Sequence, residues 1–355
     1  MDSPSELQRV LTVHAERYPL MRPTDAVKLV FQNEMGGGHL IADARKSLER
    51  LCTEAGQIPF DSAAPLFEDI GNGLGRVMLA GLDPRLYTPE QLNADFVRSA
   101  QHHQGDPDVL RQKLDVLRKA AAEGLFAFSA AELDDFLGPY TASGCPAVSH
   151  SPEYRAAYRP AYRIAEKSLS LAGLIDEAQR LSQERGPLVI AVDGRCASGK
   201  TTLARRLHDV LGWSVVHMDD FFLRPEQRTP ERYATPGENV DHERFLSEVL
   251  RPLRAGQPVE YRPFDCHIGQ LGAPMRVSAA PVTVVEGSYS CHPSLRALYD
   301  LRVFATIEPD EQLRRIEARN GGYAEVFRTR WIPLEEQYFS ACGVEDCCEF
   351  TLTLV

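Results

Sequence analysis

Gly194, Gly199, Lys200 and Thr201 fill every fixed position of the pattern G-x-x-x-x-G-K-[ST]. A loop of this type curls so that backbone N–H groups point inward, and it opens a helix whose N-terminus carries partial positive charge. That suits a triphosphate. Ala197, Ser198, Gly199, Lys200, Thr201 and Thr202 would cradle it, with Lys200 reaching the β- and γ-phosphates and the Thr201 hydroxyl holding Mg²⁺. Transfer of the phosphoryl group further needs a proton acceptor and cations for the moving charge. Asp219 is the candidate base, Glu286 the second metal ligand, and Arg315 and Arg319, spaced i and i+4, share a helix face. Asp220 competes with Asp219 for the role of base.

The elements around these residues follow from periodicity. Leu188–Val192 is a short, β-branched apolar run broken at Asp193-Gly194 and followed by an Ala/Leu/Arg-rich stretch, which predicts strand, loop and helix. Trp213–Met218, Pro281–Glu286 and Leu301–Ile307 predict further buried strands separated by helices, hence a doubly wound parallel sheet. Ligands of such sheets sit at the carboxyl ends of the strands, where Asp219, Glu286 and the loop all fall. The strand ending at Asp219 is expected beside the phosphate-loop strand.

The N-terminal region reads as a separate, mainly α-helical domain over residues 1–150, followed by a linker helix over 151–185 and the α/β domain over 186–355. Helices are expected at 5–18, from a Thr24 cap through Phe31, and from His39 onward. The Gly36-Gly37-Gly38 run beside Asn33, Glu34 and His39 reads first as a helix end. A hairpin is expected around Gly71-Asn72-Gly73, and helices over 89–103, 107–123 and 130–137. The tyrosines and arginines between Glu153 and Arg163 suit a seam between domains. His39, His102, His103 and His150 have no partner carboxylate identifiable by spacing.

The chain has 355 residues and a formal net charge of -11, which excludes a general nucleic-acid binder but leaves room for a local basic pocket. No apolar run is long enough to cross a bilayer, and the first residues lack the basic start and apolar core of a secretory signal, so a cytoplasmic protein with no membrane partner is expected. Homo-oligomerisation is left open. The eight cysteines do not form a disulfide framework, and Cys266-His267 and Cys291-His292 lack metal-site spacing.

With these pieces in order, residues from about 186 onward resemble the uridine kinase family of P-loop kinases, whose relatives include phosphoribulokinase and type I pantothenate kinase. The resemblance rests on Gly194–Thr201, Asp219-Asp220-Phe221-Phe222, Asn239-Val240-Asp241-His242, Glu286-Gly287 and the Arg315-x-x-x-Arg319 lid. It implies an ATP- and Mg²⁺-dependent kinase acting on a hydroxyl of a nucleoside or similar polar metabolite. Asp219 would be the base, Asp241 and His242 would hold the acceptor, and Arg315 and Arg319 would close over the phosphates. Tyr261, His267 and Tyr289 are further acceptor candidates. The family's Tyr-Asp pair with a following histidine departs here to Phe264-Asp265 and His267, and Asn320 replaces the acidic residue after the second lid arginine. Trp331 and Tyr338 either line the acceptor pocket or finish the core. Two other readings remain open: a nucleotide-dependent switch whose N-terminal domain binds a protein, and a second enzyme fused to the kinase.

Overall fold

The computed structural model describes residues 4–266 and 268–355. Contacts divide the chain into two units, Met1–Gly173 and Leu174–Val355.

The first unit begins with helices α1 (Pro4–Arg17), α2 (Pro23–Met35) and α3 (Ala44–Ala55). A hairpin follows, β1 (Phe67–Gly71) and β2 (Leu74–Met78), then α4 (Pro89–His102), α5 (Pro107–Ala122), α6 (Ala130–Ala142) and α7 (Pro152–Tyr158). Strand β3 (Tyr162–Glu166) closes a three-stranded sheet by pairing antiparallel with β2. Residues 151–185 are therefore not one linker helix. They hold α7, β3 and α8 (Leu171–Arg185), in which the division between units falls.

Local chemistry explains where expectation and structure part. Asp43, not the triple-glycine region, caps α3, its side chain accepting the Lys46 amide, and α2 starts after Arg22 with Pro23 in its first turn. The hairpin's Gly75 is a packing device, since a Cβ there would lie 2.0 Å from Phe67 Cζ. Tyr154, Tyr158 and Tyr162 belong to the apolar cluster of this unit, with Leu11, Val27 and Leu117. The expected domain seam is thus core: Tyr154 stacks on His150 at 4.3 Å and tilts against Tyr18 at 5.3 Å.

A buried chain of polar groups crosses that core. Asp25 is hydrogen-bonded to His150, to the Ser151 hydroxyl and amide and to the Arg22 amide, and these bonds, His150 first, hold its carboxyl below the usual range despite burial. His150 Nδ1, 2.9 Å from Asp25, therefore carries its proton, and Nε2 accepts the Tyr162 hydroxyl at 2.7 Å. Gln32 donates to the same phenol oxygen and receives the fully buried Arg76, which also reaches Glu68. The structure supplies the carboxylate partner that spacing could not reveal.

In the second unit β4 (Leu188–Gly194) runs into the phosphate loop and α9 (Lys200–Leu211), followed by β5 (Ser214–His217). Two short pairs follow, β6 (Val259–Tyr261) with β9 (Met275–Val277) and β7 (Phe264–Asp265) with β8 (Gln270–Leu271), both antiparallel. Then come β10 (Val282–Glu286), β11 (Leu301–Thr306) and β12 (Phe350–Thr353). The main sheet has the order β12-β11-β4-β10-β5, with every neighbouring pair parallel. All seven residues of β4 and all five of β10 are buried, as strands covered on both faces must be. Each large aliphatic side chain so buried contributes about 1.5–3 kcal/mol.

One expectation is corrected by this order. Strand β10 lies between β4 and β5, so the strand leading to Asp219 does not neighbour the phosphate-loop strand. The insertion has a consequence for the site. Glu286 stands in register with Val192 on one side and His217 on the other, so the carboxyl ends of three strands meet there. Among the described residues no helix is long and apolar enough to cross a membrane.

Candidate active site

The phosphate loop takes its shape from three residues in positive φ. Gly194 has φ 128°, Ala197 59° and Gly199 102°. A Cβ on Gly194 would lie 2.1 Å from the carbonyl oxygen of Ala305 on β11, so only glycine fits against that strand. Lys200 Nζ donates to the carbonyls of Gly194 at 2.7 Å and Arg195 at 2.9 Å, which holds the ammonium inside the curl. The Ser198 side chain is fully buried and its hydroxyl has no hydrogen-bond partner, leaving a polar atom for a ligand in the cradle. Thr202 is exposed.

Thr201 and Glu286 come together at the strand ends. The hydroxyl of Thr201 lies 3.1 and 3.2 Å from the two oxygens of Glu286, whose side chain is buried. A hydroxyl and a carboxylate are hard oxygen donors of the kind Mg²⁺ prefers, so the residues fit that ion. His217 Nδ1 also lies 2.5 Å from Glu286, and this hydrogen bond raises the imidazole's pKa despite burial.

The two neighbouring aspartates have different surroundings. The strand stops at His217 and the chain turns through a 3₁₀ segment, Met218–Phe221, so strand alternation does not govern them. Asp220 accepts the Tyr261 hydroxyl at 2.7 Å, and its carbonyl accepts from Arg244. Asp219 makes no hydrogen bond or ion pair among the described residues. Solvent reaches its side chain, yet protein surrounds it on most sides, and this desolvation, followed by the negative charge of Glu286, raises its pKa. A carboxylate that is unspent, raised in basicity and beside the phosphate loop can take a proton.

Asp241 caps the helix that starts at His242, accepting the Arg244 amide at 3.2 Å through Oδ1. Its Oδ2 is buried without a hydrogen bond, 3.6 Å from Arg224 Nε and 3.5 Å from Arg244 Nε. His242 is committed elsewhere. Its Nε2 lies 3.1 Å from Glu238, and its ring stacks on His292 at 4.0 Å and 16°. Glu238, His242 and His292 bring ligand-type atoms within 4.8 Å of one another. Stacked rings aim their lone pairs side by side, however, and His292 Nδ1 accepts the Ser294 amide, which leaves the proton on Nε2 facing Glu238. The two imidazoles share the Glu238 carboxylate.

Of the remaining candidates, Tyr261 is occupied by Asp220, and Tyr289 is buried with its hydroxyl accepting from Asn239. His267 lies outside the described residues. Arg315 reaches over the phosphate loop, 3.4 Å from the Ala197 carbonyl, while Glu311 holds its Nε. Arg319 does not join it, bonding instead to Asn320 and resting on Phe327 at the surface.

No family model matches the chain. It is 32% identical over 144 residues to uridine kinase-like protein 4 of Arabidopsis thaliana, covering 37% of this chain and 30% of that protein. The uridine kinase of Geobacillus kaustophilus (strain HTA426) is 30% identical over 140 residues, covering 36% of this chain and 65% of its own. Over about 40% of its length the chain resembles uridine kinases. The rest is unmatched, and the chain spans about a third of the length of the Arabidopsis relatives. A solved structure of a possible uridine kinase from Bacillus stearothermophilus aligns with 50% of this chain and 98% of its own at 22% identity and a TM-score of 0.37. The sequence matches and the phosphate-loop fold support a nucleotide-binding P-loop kinase family.

Several residues that shape the site went unread in the sequence. Asp193 is fully buried and accepts the amides of Gly194, Tyr289 and Cys291 and the hydroxyl of Tyr338. Burial pushes its pKa up to about 6, against the opposing effect of those hydrogen bonds. Glu335 accepts the Cys196 amide at 2.9 Å and the Ser288 hydroxyl at 2.6 Å, while Glu336 pairs with Arg195. The acidic pair in Pro333-Leu334-Glu335-Glu336 was the available signal, but nothing local tied it to the loop. Tyr338 finishes the core at 0% exposure.

Proposed function

We propose that the second unit transfers the γ-phosphoryl group of ATP to a hydroxyl of a nucleoside or similar small polar metabolite. The observation that carries this reading is Asp219, an unspent carboxylate of raised pKa next to the Thr201–Glu286 pair and the phosphate loop. A switch protein has no need of such a base.

In this reading the loop amides and Lys200 bind the phosphates, and Lys200 exchanges its bonds to Gly194 and Arg195 for the triphosphate. Thr201 and Glu286 would hold Mg²⁺, which would supply positive charge against the phosphates. Asp219 accepts the proton of the attacking hydroxyl. Asp241 offers its unbonded Oδ2 to a hydroxyl of the acceptor, and Arg315 closes over the loop.

The test is ADP formation by the whole chain with Mg²⁺-ATP against nucleosides, sugars, sugar derivatives and amino-acid alcohols, beside Asp219→Ala. Stimulation by one acceptor class that is lost in the variant supports phosphoryl transfer. Tight ATP binding with no stimulated turnover on any acceptor would overturn it and favour the switch reading.

A further inference from the structure

The second unit carries an open cavity of about 310 Å³ lined by Arg224, Glu226, Arg262, Phe264, Gln270 and Leu271 among others. Arg224, Glu226 and Arg262 all stand in its wall, and of the two arginines Arg262 is the one held in place without an acidic partner among the described residues. Arg262 donates through Nε to the Gly272 carbonyl at 2.7 Å and through NH2 to the Leu271 carbonyl at 3.1 Å. Both acceptors are uncharged. Among the described residues no carboxylate forms an ion pair with Arg262, and its NH1 has no partner. Arg228, which does not line the cavity, is held by the Leu223 carbonyl and lies 5.6 Å from the ring of Phe264.

Arg224 has acidic neighbours, and their positions matter. Its NH1 lies 3.3 Å from Glu226, an exposed side chain, and its Nε lies 3.6 Å from Asp241. One residue therefore joins the cavity wall to the buried acceptor oxygen that lacks a hydrogen bond. A guanidinium already oriented by backbone carbonyls presents a rigid fork that matches phosphate or carboxylate oxygens, and a neutral hydroxyl gains much less from it. Phe264 gives the cavity an apolar floor, buried at 5% exposure.

We infer that the acceptor of this unit is a polyhydroxylated metabolite carrying an anionic group, phosphate or carboxylate, which Arg262 binds in this cavity while Asp241 takes a hydroxyl. The inference rests on the phosphotransfer reading above and sharpens it, because a neutral nucleoside leaves the Arg262 fork unused.

The experiment compares three matched acceptor sets in the ADP assay: neutral sugars and polyols, the same compounds bearing a phosphate, and their aldonate counterparts. Each is run with the native chain, Arg262→Met and Arg262→Lys. The expected result is a kcat/KM at least tenfold higher for one anionic set than for its neutral parents. In Arg262→Met that ratio falls at least tenfold, mainly through KM, and Arg262→Lys restores part of it by returning the charge. The phosphate and aldonate arms tell which anion is recognised. Turnover of neutral parents as efficient as that of both anionic sets, or a ratio unmoved in Arg262→Met, overturns the inference while leaving phosphoryl transfer standing. Absence of ADP formation with every set overturns both.

Discussion

Glu335 holds the backbone amide of Cys196 at 2.9 Å, so a helix 139 residues later in the chain fixes the middle of the phosphate loop. The other oxygen of the same carboxylate receives Ser288, on the segment that follows Glu286. Glu335→Ala removes both bonds and frees the loop to sample shapes that do not bind phosphate. ATP affinity measured by calorimetry should fall about tenfold, equivalent to about 1.4 kcal/mol, with Glu335→Gln in between. An unchanged affinity would mean that the loop holds its shape without this support.

The two aspartates should separate cleanly. Asp219→Asn is expected to lower kcat on the order of 10²–10⁴-fold with ATP affinity retained, because it removes a proton acceptor that makes no structural bond. Asp220→Asn weakens the bond to Tyr261 and the anchoring of β6, so its effect should fall on acceptor KM. Equal losses of kcat in both variants would contradict the distinction.

Tyr338→Phe deletes one of the donors to the buried Asp193 carboxylate without opening a cavity. The cost should be about 1–3 kcal/mol in the stability of the second unit, read from the denaturant midpoint of tryptophan emission. Trp213 and Trp331 both lie in that unit, so the signal reports on it.

Gly194→Ala places a methyl group 2.1 Å from the Ala305 carbonyl oxygen at a φ of 128°. Neither β11 nor the loop can yield without breaking the sheet, so a loss above about 4 kcal/mol is expected, together with loss of ATP-induced thermal stabilisation. A variant that still binds ATP normally would contradict the close approach of these strands.

Acid should weaken the first unit before it weakens ordinary carboxylate contacts. Burial lowers both His14 and His150 from 6.5 to about 4. In the unfolded chain each takes a proton below about pH 6.5, whereas in the fold each stays neutral to about pH 4. Their contribution is therefore complete above pH 6.5 and is lost as pH falls from there toward 4, about 3 kcal/mol for each. Amide exchange in α2, corrected for its intrinsic pH dependence, should report smaller protection at pH 5 than at pH 7, and His150→Gln should reduce the difference.

The features legible in the sequence are those written in neighbouring residues. Leu188–Val192, the Gly194–Thr201 loop and the helix from Lys200 form one contiguous signal, and the structure has all three. The placement of β10 between β4 and β5 is not such a signal, because strand order is chosen by packing across the whole sheet. The surroundings of Asp219 and Asp220 depend on where a strand ends, and a 3₁₀ turn begins there, with Asp220 bonded to Tyr261. Arg315 and Arg319 share a helix face by spacing, yet the helix ends at Asn320 and Arg319 turns to it. In the first unit Asp25 stands 125 residues before His150, and nothing in either neighbourhood announces the other, so only the fold could join them.

The Asp193 carboxylate collects donors from Tyr289, Cys291 and Tyr338, at separations of 96, 98 and 145 residues. Those separations impose an order on biogenesis. A nascent chain that has emerged as far as Leu211 already contains the strand, the loop and the helix that would touch nucleotide. It still carries, at its centre, a carboxylate with most of its partners unsynthesised. Only when the helix from Ile332 leaves the ribosome can that charge be closed off from water. The phosphate loop is therefore among the first parts of this unit to be translated and among the last to be finished.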